Sequence, residues 1–473
     1  MIPLTLAEIA EVTGGTLHDA PDPGAQVTAP VVIDSRKAGP GSLFAAFAGE
    51  HVDGHDYAEK AVRTGATAVL ATRPVGVPAI VVDDVPAALA ALAQHVVARL
   101  TDTTVVGLTG SSGKTSTKDL LAQLLGRLGP TVYTYGSFNN EIGHPVTALE
   151  ADAATKYLIL EMGARSTGHI RSLARTTPPR IGLVLNVGTA HIGEFGGREQ
   201  IAEAKGELVE SLPADGVAVL NADDPLVRAM APRTQARVVL FGEAPEAQIR
   251  AGDVRLTDDG RPAFTLHTPS GAAPVIMKLY GEHHVSNALA AAAVAHELGL
   301  PPQEIAEALG AAEPLSRWRM EVSERADGVT VINDAYNANP DSMRAALRAL
   351  VAMGRGPKDQ GGRTWAVLGT MAELGGESLA EHDGVGRLVV RLNVSKLVAV
   401  GGQEAAWLDM GAKNEGSWGE ESVHVSDADA AIELLRGELR PGDVVLVKAS
   451  RSVGLERIAE ALLQEEDQEA AAR

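Results

Sequence analysis

Short apolar runs alternate with helical stretches along most of the chain. The helical stretches include VPAALAALAQHVVARL, which is apolar all round with Ala as filler, and KTSTKDLLAQLLGRLG, in which leucines recur at helical spacing. Alternating strands and helices are typical of α/β proteins with mostly parallel sheets. The runs that predict strands are VVIDS, SLFAAF, TAVLAT, AIVVDD, VVGLT, KYLILE, IGLVLNVG, GVAVLNADD, RVVLFGE, GVTVINDAYNANP, RTWAVLG, VSKLVAVGG and DVVLVKAS.

Two breaks in this pattern predict three domains. The polar segment TDTT, 101–104, interrupts the first series, and AAEPLSRWRM, near 311–320, separates the second series from the third. A chain of 473 residues is long enough for about three domains of ordinary size. We therefore predict domains at 1–98, 99–312 and 313–473. The central domain should contain a P-loop-type, doubly wound, mostly parallel sheet, and the C-terminal domain should be Rossmann-like.

The composition argues against several classes of protein and site. The formal net charge is −20, aromatic residues make up 3% and cysteine is absent. An acidic chain without a Lys/Arg cluster lacks the electrostatic footprint of a nucleic-acid binder. The absence of cysteine excludes disulfides and thiolate zinc sites and fits a reducing compartment. No apolar run approaches the roughly 18 residues of a membrane span, and the N-terminus lacks the basic start of a signal peptide. We expect a cytoplasmic protein with no membrane insertion.

A glycine-rich turn, TGSSGKT, lies between the predicted strand VVGLT and a predicted helix. It lacks the first glycine of the full G-x-x-x-x-G-K-[ST] motif, because Leu108 occupies that position. Gly110 and Gly113 would let backbone amides face phosphate oxygens, and the start of a helix favours an anion. Lys114 would add positive charge at the β- and γ-phosphates, and the Thr115 hydroxyl could ligate Mg²⁺. The alternative is a plain strand–helix connection with a surface lysine.

Three further side chains could complete a metal site. Glu161 ends the run KYLILE, at the strand edge where ligands bind in open α/β sheets, although it could equally be an exposed carboxylate. His191 follows IGLVLNVG and could lie beside Glu161, but a loop or core histidine is the ordinary alternative and nitrogen is a less usual Mg²⁺ ligand. Lys205 lies between Glu203 and Glu207 in a predicted helix, where a solvated lysine is the simplest interpretation.

Two polar segments could contact a nucleotide. Asn287 begins an Ala-rich helix, where helix capping is the alternative role. Asp334 and Tyr336 follow a predicted strand in VINDAYNANP, where Asn and Pro also predict a turn. The aromatic ring of Tyr336 could stack on a nucleobase.

Together these segments resemble the Mur ligases, the ATP-dependent amide-bond enzymes of peptidoglycan precursor synthesis. TGxxGKT marks only the wider superfamily, whereas NNEIGHP, YNANP and LGTMAELG are similar to the member that joins D-Ala-D-Ala to UDP-MurNAc-tripeptide. The resemblance extends over nearly the whole chain through DSRKAGPGSLFAAFAGEHVDGHDYA, TGSSGKTSTKD, GSFNNEIGHPVTAL, LEMGA, LNVGTAHIGEFGG, IAEAKGELVESL, NADDP, YGEHHVSNALAAAA, VINDAYNANPDSMRAAL, VLGTMAELG and VKASRSVGLE.

The resemblance implies roles for individual residues. Lys114, Lys205 and His191 would be catalytic. ATP would be bound by Thr109, Gly110, Ser111, Ser112, Gly113, Lys114, Thr115, Ser116, Asn287, Arg317, Asp334 and Tyr336. Mg²⁺ would be held by Thr115, Glu161, His191 and Lys205, the last as a carbamate that supplies oxygen donors. The UDP-linked substrate would be bound by Asp34, Ser35, Arg36, His55, Asn139 and Asn140.

The resemblance also implies the reaction. The cofactors would be ATP and Mg²⁺, and an acyl phosphate would form on UDP-MurNAc-tripeptide before D-Ala-D-Ala attacks it. The first domain would recognise the UDP group, the central domain ATP, and the third domain nucleotide and incoming amine. The third domain would rotate about a hinge near Ala312–Arg317, and the chain would act as a monomer.

Two alternatives remain open. The chain could be a sister Mur ligase or a folylpolyglutamate-type ligase, although it lacks a DNPR motif typical of the diaminopimelate-adding enzyme. It could also be a non-catalytic, ATP-gated binding protein. The presence of Lys114, Glu161, His191 and Lys205 argues against that class.

Overall fold

Three large sheets organise the molecule. The computed structural model describes residues 1–49, 52–189, 192–355, 362–417 and 419–471. Among these residues, each large sheet is built from one of three consecutive parts of the chain, which confirms the predicted three-domain α/β architecture. No helix within the described ranges has the combined length and apolarity that crossing a bilayer requires.

The first part of the chain forms a small mixed sheet. Its elements are β1 (Leu4–Thr5), α1 (Leu6–Thr13), β2 (Thr16–His18), β3 (Gln26–Val27), β4 (Val31–Val32), β5 (Leu43–Ala45), α2 (Ala58–Thr64), β6 (Ala68–Ala71), β7 (Ala79–Val81) and α3 (Val85–Arg99). The strand order is β2-β7-β6-β5-β4, with β2 antiparallel at the edge, and β1 pairs separately with β3. The four apolar runs predicted here form β4 to β7, which are mutually parallel.

The central part forms a nine-stranded sheet. Its elements are β8 (Thr104–Thr109), α4 (Lys114–Leu125), β9 (Thr131–Tyr133), α5 (Gly143–Ala148), β10 (Tyr157–Glu161), α6 (His169–Thr176), β11 (Ile181–Val184), α7 (Ile192–Phe195), α8 (Arg198–Glu210), β12 (Val217–Asn221), α9 (Pro225–Arg228), β13 (Arg237–Gly242), β14 (Ile249–Leu256), β15 (Pro262–Thr268), β16 (Gly271–Ile276), α10 (His283–Glu297) and α11 (Pro302–Ala311). The strand order is β16-β15-β14-β13-β12-β11-β8-β10-β9. Strands β8 to β14 are parallel, in agreement with the predicted mostly parallel sheet, whereas β14, β15 and β16 form an antiparallel meander that was not predicted.

The order of the central strands explains why distant segments meet. Strand β8 lies between β10 and β11, so the chain leaves three neighbouring strands at one edge of the sheet. The pairing register aligns Glu161 with Leu108 and Val184 with Thr109, at the carboxyl ends of these strands. Ligands bind at this edge in open α/β sheets, because the loops diverge there and leave a crevice.

The third part forms a six-stranded sheet. Its elements are β17 (Glu321–Glu324), β18 (Thr330–Asn333), α12 (Pro340–Met353), β19 (Thr364–Leu368), α13 (Ser378–Arg391), β20 (Lys396–Val400), α14 (Gln403–Glu415), β21 (Ser422–Val425), α15 (Ala428–Glu438), β22 (Val444–Lys448) and α16 (Glu456–Ala471). The order is β17-β18-β22-β19-β20-β21, and all pairs are parallel except β17 with β18. The four predicted runs form strands here, while β17 and β21 were not predicted.

An Ala-rich helix, α10, forms the centre of the main core. Its residues from Ala288 to Ala295 have no solvent-accessible surface. The helix packs against α4 and against strands of the central sheet. Small side chains let two helices approach closely, so a chain with 3% aromatic residues can still fill its core. This packing places Asn287, near the start of α10, beside the glycine-rich turn that precedes α4.

Buried histidines should make the fold acid-sensitive. His144 has no exposed surface, its Nε2 lies 2.7 Å from Thr177 Oγ1, and burial lowers its pKa to about 4. Burial and, secondarily, His283 lower the pKa of His284 well below its usual range. Both side chains are therefore neutral in the folded protein at pH 7. As the pH falls below about 6.5, the unfolded chain binds protons first, and the free energy of unfolding should decrease, with the contribution of His144 complete below about pH 4.

Urea unfolding at several pH values tests this expectation. For His144 alone the loss should approach about 3 kcal/mol below pH 4, since each pKa unit corresponds to about 1.4 kcal/mol. A folded His144→Gln variant should show a shallower pH dependence, whereas His424→Gln, at an exposed histidine, should match the native chain. An unchanged slope in His144→Gln would contradict the assignment.

Candidate functional site

A cavity of about 580 Å³ lies at the carboxyl edge of the central sheet and is closed on one side by the third part of the chain. Seven consecutive residues of the glycine-rich turn and the start of α4, Gly110 to Ser116, line it. The other lining residues that the sequence analysis named are Asn139, Asn140, Glu161, Lys205 and Tyr336. Lining residues that it did not name are Ser137, Glu141, Gly163, Ala164, Arg165, His169, Ser172, Leu173, Arg319, Asn337, Asn339, Ser342 and Glu373. Several segments of the central and third parts, distant from one another in sequence, therefore face one space.

The turn presents the start of α4 to the cavity. Gly113 caps the helix with φ +79° and provides no side-chain hydrogen bond to the first amides. The first amides of a helix have no partner within the helix, so they can bind an anion. The Lys114 ammonium donates to Gly110 O at 2.8 Å. Burial lowers the pKa of Lys114, the negative charge of Glu161 opposes this shift, and Arg319 adds to it.

Two of the amides expected at a phosphate are used within the protein in this conformation. The amides of Ser111 and Ser112 both donate to Asn186 Oδ1 at 2.9 Å. Asn186 follows β11 and was not among the predicted site residues. Ser111 Oγ is buried and has no hydrogen-bond partner among the described residues. A buried hydroxyl without a partner in the wall of a cavity fits a polar ligand there.

Gly113 should be essential to the geometry of this turn. A Cβ at Gly113 would lie 2.5 Å from Asn287 Oδ1, and its φ of +79° is one that L-residues rarely adopt. We expect Gly113→Ala to lower the affinity for nucleotide at least about tenfold, because an L-residue is strained at this φ and its Cβ would displace Asn287 Oδ1 beside the turn. Isothermal titration with ATP measures this loss. Gly14→Ala is the matched control, since Gly14 has φ +66° with nothing within 4 Å of its Cβ position. Equal ATP affinity in both variants would contradict the expectation.

The oxygen atoms beside the turn fit a Mg²⁺ site. Thr115 Oγ1 donates to Glu161 Oε2 at 3.0 Å and lies 3.0 Å from Ser137 Oγ, while Asn139 Nδ2 donates to Glu161 Oε1 at 2.7 Å. Mg²⁺ prefers oxygen and commonly uses one or two protein carboxylates together with phosphate and water. Within the described ranges no group of three His, Cys, Asp or Glu side chains could hold a metal. The predicted ligand His191 lies outside the described residues.

Lys205 is buried, not solvated. Its side chain lines the cavity from α8 and the residue is 6% exposed. Its acidic neighbours point elsewhere: Glu207 accepts the amide of Arg171, and Glu203 pairs with Arg233. No hydrogen-bond or ion-pair partner for the Lys205 ammonium occurs in the part of the chain that the structure describes. Burial, and secondarily the charge of Lys114, lowers the pKa of Lys205 well below its usual range. The interpretation of Lys205 as a solvated helical lysine was therefore wrong.

An arginine from the third part of the chain reaches the oxygens of the candidate Mg²⁺ site. Arg319 Nη2 lies 3.3 Å from both Thr115 Oγ1 and Ser137 Oγ, and the Arg319 guanidinium stacks over the Tyr336 ring at 4.3 Å. Arg317 was the residue predicted to reach the nucleotide from this segment. Arg317 does not line the cavity, because its side chain is 71% exposed and pairs with Glu460 at 3.5 Å. Both arginines occur in SRWRM, and only the backbone path decides which one turns inward.

Asp334 fixes the backbone next to Arg319. Its Oδ2 pairs with buried Lys448 at 2.6 Å, and its Oδ1 accepts the amide of Met320 at 3.1 Å. The amide of Tyr336 donates to Trp318 O at 3.2 Å. Asp334 does not line the cavity, but it holds the segment that carries Arg319.

The remaining predicted residues lie outside the phosphate region of the cavity. Thr109 is buried at the end of β8. Asp34 accepts the amide of Arg36 and pairs with its side chain, at the 3₁₀ turn that begins with Ser35. His55 is buried between Asp53 and Thr72, with ring nitrogens 2.6 Å from Asp53 Oδ1 and 3.0 Å from the Thr72 amide nitrogen. The structure does not bring these first-domain residues into the cavity, and their role in substrate binding stays a prediction.

Asn139 and Asn140 follow β9 and do reach the cavity. Asn140 Oδ1 also accepts the amide of Gly143 at 2.9 Å and so shapes the turn into α5. In the same loop, the ring of Tyr135 lies 5.1 Å from Lys37 Nζ of the first part. The loop therefore connects the cavity with the DSRK turn of the first domain.

Family models match the three parts of the chain in order. They are described as "Mur ligase family, catalytic domain" at residues 29–98, "Mur ligase middle domain" at 108–295 and "Mur ligase, glutamate ligase domain" at 318–451.

Individual proteins match over nearly the whole chain. The UDP-N-acetylmuramoyl-tripeptide–D-alanyl-D-alanine ligase of Mycobacterium tuberculosis is 52% identical over 504 residues, covering 98% of this chain and 99% of that protein. A crystal structure of MurF from Acinetobacter baumannii is similar with a TM-score of 0.85 and 32% identity, covering 98% of this chain and 99% of that one. MurF ligase from Thermotoga maritima, crystallised in complex with ADP, has a TM-score of 0.78 and 30% identity, covering 94% and 99%. The chain belongs to the Mur ligase family.

Proposed function

We propose that this chain is the ligase that joins D-Ala-D-Ala to UDP-MurNAc-tripeptide, with ATP converted to ADP and phosphate. The observation that carries the proposal is the convergence of a helix-start anion site, the Thr115–Glu161 pair, buried Lys205 and Arg319 on one cavity. The relatives' names and the ADP complex of the Thermotoga maritima protein support it.

The first step activates the carboxylate at the end of the tripeptide. A carboxylate oxygen attacks the γ-phosphorus of ATP, the bond to the β-phosphate oxygen breaks, and an acyl phosphate and ADP result. The protein contributes positioning and charge neutralisation in such a transfer. Lys114, Arg319 and the first amides of α4 face the region where this negative charge would spread.

The metal residues have a separate task. Thr115 and Glu161 would hold one Mg²⁺, and His191 with carbamylated Lys205 a second. Bound Mg²⁺ supplies charge neutralisation and fixes the orientation of the phosphate oxygens. The neutral Lys205 amine is the form that reacts with CO₂ to give a carbamate and a proton. Its lowered pKa increases the fraction of that form near neutral pH.

The second step forms the amide bond. The neutral amine of D-Ala-D-Ala attacks the acyl carbon, and phosphate leaves. Water must be excluded while the acyl phosphate exists, and a third domain that closes on the cavity would exclude it. We infer rotation about a hinge near Ala312–Arg317, which small-angle scattering would detect as compaction with an ATP analogue and the UDP substrate. We also place the reaction, as a monomer, in the cytoplasm.

Phosphate release with a panel of amines tests the function. The protein is mixed with ATP, Mg²⁺ and UDP-MurNAc-tripeptides that carry either diaminopimelate or lysine. Release that depends on D-Ala-D-Ala supports the proposal. Release with a single amino acid would instead identify a sister ligase, and no release with any amine would favour the binding protein.

A further inference from the structure

We propose that Lys118, Asp119 and Ser316 form a buried positioning cluster that places Arg319 and Ser137 beside Thr115 for phosphoryl transfer. The three residues are 1%, 5% and 9% exposed, and none of them lines the cavity. The inference rests on the proposed function, because it assigns Arg319 to the transferred phosphoryl group.

The cluster joins the phosphate-site helix to the start of the third domain. Thr115, Lys118 and Asp119 are three and four residues apart in α4, so they share one face of the helix. Lys118 Nζ lies 2.6 Å from Asp119 Oδ1 and donates to Ser316 Oγ at 3.1 Å. Asp119 accepts both the Ser316 hydroxyl and the Ser316 amide at 3.0 Å. Ser316 is therefore fixed through its backbone and its side chain.

The chain beyond Ser316 follows a strained path to the cavity. Trp318 and Met320 have φ of +58° and +49°, a region that bulky L-residues rarely adopt. Arg319 lies between them and extends to Thr115 Oγ1 at 3.3 Å. Strained backbone persists where surrounding contacts enforce it, and it is often found at functional sites. Here Ser316 fixes one end of the strained segment, and the Asp334 bond to the Met320 amide fixes the other.

The same lysine also fixes the second neighbour of Thr115. Lys118 Nζ donates to Thr134 O at 2.9 Å, in the segment that leads to Ser137. Ser137 Oγ lies 3.0 Å from Thr115 Oγ1 and 3.3 Å from Arg319 Nη2. The buried ammonium of Lys118 thus holds two segments that reach Thr115, one from the central part and one from the start of the third part of the chain. A lysine with this many fixed partners is better explained by positioning than by solubility or surface charge.

Ser316→Ala tests the cluster, because it removes the hydroxyl and leaves the backbone bond to Asp119. We expect kcat to fall at least about tenfold while KM for ATP changes less than about threefold, since Arg319 acts on charge that develops during transfer. In an Arg319→Ala background, Ser316→Ala should change kcat by less than about twofold, because both changes act through one group. The proposal is overturned if the fold-loss of kcat in the double variant equals the product of the two single fold-losses. A native kcat in Ser316→Ala overturns it as well.

Another serine of the chain provides a matched control. Ser422 is 3% exposed and donates to Asp409 Oδ1 at 2.6 Å, and Asp409 pairs with Lys413 at 2.6 Å. Ser422→Ala should keep the native kcat, and an equal loss there overturns the positioning role. If Ser316→Ala does not fold, Ser316→Thr and Ser316→Val are compared, since they match in shape and differ in the hydroxyl. The proposal requires the higher kcat in Ser316→Thr, and equal rates overturn it.

Hydrogen exchange separates this proposal from the proposed function. In the substrate-free protein, amides at 316–322 and 134–138 should exchange faster in Ser316→Ala than in Ser422→Ala. This readout requires no turnover, so a native protein without ligase activity would overturn the function alone. Identical exchange in the two variants overturns the cluster.

Discussion

Lys114→Ala is expected to lower kcat about a thousandfold while the fold is retained, because one preorganised charge at a phosphoryl-transfer site contributes about that much. Lys114 begins α4 and reaches back to Gly110 O at 2.8 Å, so its ammonium lies at the turn where a terminal phosphate would bind. Its partial burial at this position increases its effect, since charge is screened less there than in water. Phosphate release under saturating substrates gives kcat, and circular dichroism reports the fold.

Lys413→Ala is the control for this substitution. Lys413 is half exposed, pairs with Asp409 on α14 of the third domain, and does not line the cavity. The Lys413→Ala protein should keep nearly all of the native activity. A Lys114→Ala protein with a rate close to native would show that the turn does not act on a phosphate.

Lys205→Ala is expected to lose activity by at least about two orders of magnitude and to regain part of it with added formate or acetate. A carbamate and a small carboxylate offer the same pair of oxygen donors. Lys205 is buried in the cavity wall, and its ammonium has no partner among the described residues. In Lys205→Ala an added carboxylate could therefore occupy the volume of the missing side chain without displacing an ion pair. Rates measured against carboxylate concentration give the extent of rescue.

Lys114→Ala again provides the comparison. Its missing group is a cation, and carboxylates should leave its activity unchanged. Full activity of Lys205→Ala without additives would exclude the carbamate. Failure of every small carboxylate to raise its rate would count against an oxygen-donor role.

The local pattern of apolar runs and turn residues was sufficient to predict the strands and the turn that form the site. Apolar runs bounded by turn residues predicted the strands that surround the cavity, and the turn TGSSGKT between a strand and a helix predicted the anion site. Both signals depend on residues close in sequence. The meander of β14 to β16 was missed, although its turns contain TDDG and TPSG, because its strands lack continuous apolar runs.

The assignment of side chains to the cavity depended on tertiary contacts. Arg319 and not Arg317 turns inward, because Ser316 is fixed on α4 and the backbone adopts positive φ angles at Trp318 and Met320. Asn186 meets the phosphate turn because β11 lies next to β8.

Strand order, helix packing and burial arise from contacts between residues far apart in the chain. The local period of hydrophobicity does not predict these contacts. The sequence by itself determined the α/β class, the phosphate turn and, through its motifs, the resemblance to a family. The burial that lowers the pKa of Lys205 and the path that brings Arg319 to Thr115 were decided by the tertiary structure alone, since each depends on contacts between segments that are far apart in the chain.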